Sequence, residues 1–119
     1  MASNQDVVGK IVIINGSVFV QRDGKSVPAN HGSELRQGDF VVTGPNGKAG
    51  IAMLDQTRLS IGEKASMKID HANYSPAEKS GSMTVSFIKG AFMFITGQIA
   101  HLNGGNMKVR TASATIGIR

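Results

Sequence analysis

The stretch Gly9–Ala29, GKIVIINGSVFVQRDGKSVPA, decides the fold class. β-Branched and aromatic residues crowd it, and two pairs that readily adopt positive φ, Asn15-Gly16 and Asp23-Gly24, cut it into three pieces. Such pairs suit both central positions of a type I′ turn. The spacing therefore predicts strands at Lys10–Ile14 and Ser17–Arg22, a short return through Val27, and two consecutive hairpins. A helical face, with apolar residues at i, i+3, i+4 and i+7, is hard to find here.

The same grammar continues outward. A Gly38-Asp39 turn leads into a strand at Phe40–Thr43, and the loop Gly44–Gly47 into one at Ala49–Leu54. Leu59 and Ile61 then share one face of TRLSIG, and Met67 and Ile69 one face of SMKID, with turns at LDQT and GEKA. SELRQ (33–37) suits a loop or a brief strand. Ala72–Ser82, ANYSPAEKSGS, is the most polar stretch, holds a proline and lacks periodicity, and reads as a long surface hairpin loop. Met83, Val85 and Phe87 alternate, Gly90 marks a bulge or bend, and Phe92 and Phe94 resume the pattern. LNGGN turns the chain into a last run, Met107–Arg119, which alternates without a stop. The expectation is an all-β chain of about ten short antiparallel strands in a β-sandwich, roll or solenoid-like stack, with little or no helix.

Composition narrows the function classes. The chain has 119 residues, enough for one modest core, and no cysteine, which removes disulfides, thiolate metal sites and cysteine nucleophiles. Its net charge of +5 permits attraction to anionic surfaces, yet its 13 Lys and Arg are spread along the chain with no basic block. With one tyrosine and no tryptophan there is no stacking platform either, so nucleic acid is not an expected partner. The apolar runs IVII and FMFI are too short to span a bilayer, and MASNQDVV is not a secretory signal.

Chemistry is sparse. His31, His71 and His101 have no local metal-ligand spacing, and Asp70-His71 sit next to each other on a strand, where neighbours face opposite ways. Asp55, Glu63 and Asp70 fall at turn-like positions, where carboxylates are ordinary. GPNGKAG and NGGN lack phosphate-loop spacing and do not open onto a helix. No catalytic, metal or cofactor residue is expected, and a small hydrolase is disfavoured for want of an acid/base pair.

The order of motifs says more than any single one. GSELRQGDFVVT (32–43), AGIAMLDQTRLSIGEKAS (49–66), VSFIKGAFMFITG (85–97) and VRTASATIGIR (109–119) together resemble FecR-like domains, with Ser113 standing where the family often has proline. The likeness runs from Val8 onward. It implies residues 1–7 as a disordered lead or added residues, and 8–119 as a single FecR-like β domain lacking its last strands, because the family signature usually continues past GIR. It also implies a non-enzymatic, extracytoplasmic module, periplasmic or at the cell surface. The best-known members are anti-sigma regulators that pass a signal from an outer-membrane receptor through the inner membrane; their transmembrane helix and anti-sigma segment are missing here.

The expected function is therefore a protein-protein interaction module that pairs strands along an open sheet edge, with another protein or a second copy as partner. The expected contacts are Met107, Val109, Thr111, Thr115, Ile116 and Ile118. A glycan-binding module for acidic polysaccharide is the alternative, meeting the polymer through its positive charge and loops such as 71–80.

Overall fold

The computed structural model describes residues 7–99 and 106–118. Twelve strands are described: β1 (Val7–Asn15), β2 (Val18–Arg22), β3 (Lys25–Pro28), β4 (Glu34–Arg36), β5 (Phe40–Thr43), β6 (Lys48–Met53), β7 (Arg58–Ile61), β8 (Ser66–Ser75), β9 (Ser80–Lys89), β10 (Phe92–Ile95), β11 (Asn106–Arg110) and β12 (Thr115–Ile118). The all-β expectation holds. A 3₁₀ turn, Pro76–Glu78, separates β8 from β9. Residues 1–6 of the N-terminal lead lie outside the described residues, and Val7 already belongs to β1.

Two sheets form. Sheet A runs β10-β7-β6-β1-β4, and sheet B runs β12-β11-β9-β8-β5-β2-β3. Alternate residues of both, among them Val8, Ile11, Leu35, Ile51, Leu59, Met67, Ile69, Met83 and Val85, point inward and are buried in one shared core. This period-two burial is what stabilises the sandwich, since each strand offers one apolar face to the other sheet.

The first hairpin expected from Asn15-Gly16 is not one. β1 pairs with β4 and β6 in sheet A, whereas β2 pairs with β3 and β5 in sheet B, so Asn15-Gly16 is a corner between sheets. A type I′ turn needs positive φ at both central residues. Gly16 has it at 64°, but Asn15 stays in β1, paired with Lys48. Asp23 (φ 53°) and Gly24 (φ 78°) both have it, and they do close the β2–β3 hairpin.

The polar stretch 72–82 is also strand rather than long loop. β8 and β9 stay paired out to Ser75↔Ser80, because Ala72 and Tyr74 turn inward onto the core while Asn73 and Ser75 face outward. All described strand pairs are antiparallel except β9 with β11. The chain leaves β9, crosses to sheet A as β10, and returns to sheet B as β11. One strand in the opposite sheet reverses direction twice, so β11 comes back parallel, a single coil of the solenoid-like kind.

Candidate functional site

Buried carboxylates are the first place to look for chemistry. Asp39 is 1% exposed and accepts both arms of the Arg22 guanidinium, from Nε at 2.8 Å and from Nη2 at 2.6 Å, plus the backbone N–H of Arg36 at 2.8 Å. The hydrogen bond to Asp39 raises the pKa of Arg22 above the ordinary arginine value, with burial opposing and the charges of Asp39 and Asp23 assisting. This pair ties β2 to the β4–β5 corner.

Asp55 is fully buried. Its Oδ1 accepts from the backbone N–H of Thr57 at 3.0 Å, and its Oδ2 from the Thr57 hydroxyl at 2.9 Å and the Ile99 N–H at 3.1 Å. The Thr57 hydroxyl in turn accepts from the Gly97 N–H at 3.0 Å, and the Asp55 carbonyl accepts from the Gln98 N–H at 2.7 Å. The D-x-T of the β6–β7 turn therefore clamps the 97–99 segment that leads out of β10. Thr43 does similar work at another corner, donating to the Gly62 carbonyl at 2.6 Å and accepting from the Ala65 N–H at 2.9 Å. Among the described residues no buried side-chain polar atom lacks a partner. These groups hold corners together and leave no poised acid or base.

The remaining candidates do not converge. Glu63 is exposed and accepts from the Asn46 N–H; His31 lies in an exposed turn; His101 lies outside the described residues. Asp70 and His71, expected on opposite faces, share one. A bulge between Ile69 and His71 inserts an extra residue into β8, so both point outward. They still do not pair: Asp70 accepts from the Ser86 hydroxyl and lies 3.9 Å from the Lys68 ammonium, while His71 Nε2 hydrogen-bonds Ser82 Oγ at 2.6 Å. Among the described residues no group of three or more metal-ligating side chains forms.

The expected contact segment divides. Met107 and Val109 are fully buried on the inner face of β11. Thr111 is half-buried and closes the β11–β12 turn, its N–H donating to the Ala114 carbonyl at 2.8 Å. Thr115 and Ile116 are exposed, Ile116 at 44%, and the backbone of Ile118 pairs with Met107. β12 is the last described strand of sheet B, and no described strand pairs with its outer edge.

Sequence reasoning expected the pattern to resume at Phe92 and Phe94 but did not name this strand as a contact surface. β10 is the last strand of sheet A, and its Phe92 ring stacks on Phe87 of β9 at 4.0 Å. Among the described residues sheet A therefore ends opposite β9, while sheet B continues for two more strands, β11 and β12. Phe92 and Phe94 pair with Ile61 and Leu59 and face inward; Met93 and Ile95 pair with Ser60 and Arg58 and face outward, each 63% exposed. The readable signal was FMFI itself: a strand apolar at every position needs cover on both faces. At the opposite end, an open groove of about 510 Å³ lies between β3 and β4, with Val20, Val27 and Pro28 as its apolar wall.

A family model described as FecR protein matches residues 39–119. The chain belongs to the FecR family. The matched range opens at Asp39 and takes in Thr43, Asp55, Thr57 and Gly97, the residues of the corner clamps just described. β1 to β4 precede that range. No curated protein matches the chain. A solved structure described as a cell surface anchoring domain is similar at 32% identity over 51% of this chain and 82% of its own, with a TM-score of 0.49.

Proposed function

We propose that this FecR-family chain is a non-enzymatic interaction module of the cell envelope, periplasmic or surface-exposed, whose protein partner adds an extended segment at the open end framed by β10 and β12. The observation that carries the reading is the mismatch between the sheets. At that end no described strand pairs with the outer edge of β10 or of β12, and the inward residues Phe92 (37% exposed) and Ile116 remain partly uncovered. Neither edge carries the lysine, proline or bulge that blunts a strand edge against pairing. A partner strand there gains backbone hydrogen bonds from the edge and affinity from alternate apolar side chains. Thr115, Ile116 and Ile118 then form the sheet B side of the contact, Met107 and Val109 support it from the core, and Thr111 sets the turn. Family membership supports the envelope location and a regulatory role, since the family is one of signalling regulators.

The test places a photo-crosslinking amino acid at Met93, at Thr115 or, as the distant control, at Val27 on β3, in the chain expressed in its own cells. Discrete adducts from positions 93 and 115 that vanish when Ile95→Lys is added support the reading. Equal adducts from position 27, or adducts indifferent to Ile95→Lys, refute it.

A further inference from the structure

The cations that look scattered along the sequence are gathered by the fold. Register carries one row across the outer face of sheet B: Thr115 beside Arg110, then Ser86, Lys68, Phe40, Gln21 and Ser26. A second row places Lys108 beside Thr84 and His71. Directly paired residues share a face, and burial confirms it: β11 alternates exposed Lys108 and Arg110 with buried Met107 and Val109. Within the strands of this face the one carboxylate is Asp70, and it is already engaged by Ser86 and Lys68. No carboxylate among the described residues pairs with Lys108 or Arg110. The face is thus cationic around Lys108 and Arg110, with the hydroxyl and imidazole groups of Ser86, Thr84 and His71 beside them, while Phe40 and Ile88 supply its apolar surface.

We infer that the outer face of sheet B, centred on Lys108, Arg110, Lys68 and Thr84, is a binding surface for an acidic, carboxylate-bearing polysaccharide. This surface is centred away from the open end proposed above, meets it only at Thr115, and stands without it. Charge complementarity carries the choice. Strands lie about 4.8 Å apart and same-face residues about 6.8 Å apart along a strand, so Lys68, Arg110 and Lys108 form a grid on the scale of successive sugar units. The cations meet carboxylates spaced along a polymer, and Thr84, Ser82 and His71 supply donors and acceptors for sugar hydroxyls. A nucleic acid fits less well, because Lys68 sits 5.4 Å over the Phe40 ring and covers the aromatic surface on which a base would stack.

The test titrates fluorescent oligogalacturonate with the purified chain at low salt, alongside neutral dextran, dextran sulfate and an oligo-dT strand. Expected results are saturable binding of the uronate but not of dextran, a loss of at least about tenfold in Lys108→Glu/Arg110→Glu, and less than about twofold in the charge-matched control Lys10→Glu/Lys48→Glu on sheet A. Thr84→Val is expected to weaken uronate about threefold and leave dextran sulfate unchanged. If the double reversal unfolds, Lys108→Gln/Arg110→Gln replaces it. Three results overturn the inference: no uronate binding at low salt, equal losses in both charge doubles, or oligo-dT bound as tightly as uronate. Ile95→Lys, which blocks the open end, is expected to leave uronate binding unchanged.

Discussion

Replacing Asp55 by alanine removes the acceptor for three donors at once: the Thr57 N–H, the Thr57 hydroxyl and the Ile99 N–H, all in a fully buried turn. The hydroxyl can rotate toward another acceptor, but the two backbone donors cannot move without unmaking the turn. Each buried donor left unpaired costs about 1–3 kcal/mol, so the substitution is expected to remove about 3–5 kcal/mol. Against a typical total of about 5–15 kcal/mol, that is a large share of the stability. Equilibrium urea unfolding followed by far-ultraviolet circular dichroism measures it. With a slope of about 1.5 kcal/mol per molar urea, the midpoint falls by about 2–3 M. Thr57→Val is nearly isosteric, leaves the Gly97 N–H without its acceptor, and is expected to cost about 2 kcal/mol. The Asp55→Ala/Thr57→Val double variant should lose less than the sum, because both singles break the bond between Thr57 and Asp55. A loss under about 1 kcal/mol in Asp55→Ala, or strict additivity in the double, would refute the account of D-x-T as one clamp.

Three further expectations concern the corners. Arg22→Ala strands the buried carboxylate of Asp39 and is expected to cost about 1–3 kcal/mol, below the figure for a fully buried pair because Arg22 is 38% exposed; Arg22→Lys, which cannot bind bidentately, should cost less, both read from urea midpoints. The raised pKa of Arg22 means its contribution is complete below the unfolded arginine value and lost only as pH climbs through the still higher folded value, so from about pH 5 to 9 arginine titration should leave wild-type stability flat, a result that a pH series of melts checks. Gly90→Ala puts a Cβ onto Ala65 at a φ of +88°, where β9 crosses to β10; a melting temperature lower by about 8 °C or more is expected, and an unchanged one would sink the reading of Gly90 as an obligatory corner.

Part of the molecule was legible beforehand because its cause is local. Alternation of Met83, Val85 and Phe87, or of Leu59 and Ile61, needs only a period of two to say which residues face the core, and all five are buried. Asp23-Gly24 closes its hairpin because two adjacent residues can both take positive φ. The order of the motifs at 32–43, 49–66, 85–97 and 109–119 pointed to the family, although Asp39 and Asp55 looked like ordinary turn residues. Their task, bonding backbone at positions up to 44 residues away, is a long-range fact that no local window contains.

Length, charge, the lack of cysteine and the β pattern thus belong to the sequence by itself. Which strands share a sheet did not: Asn15-Gly16 was expected to join a hairpin and instead joins two sheets, because pairing is decided by which distant edges bury the most apolar surface. Tertiary structure alone shows that β10 is the outermost described strand of sheet A, that a bulge turns Asp70 and His71 to the same side, and that Lys68, Lys108 and Arg110 meet on one face. Those juxtapositions arise from register between strands far apart in the chain, where a shift of one residue moves every side chain to the other face.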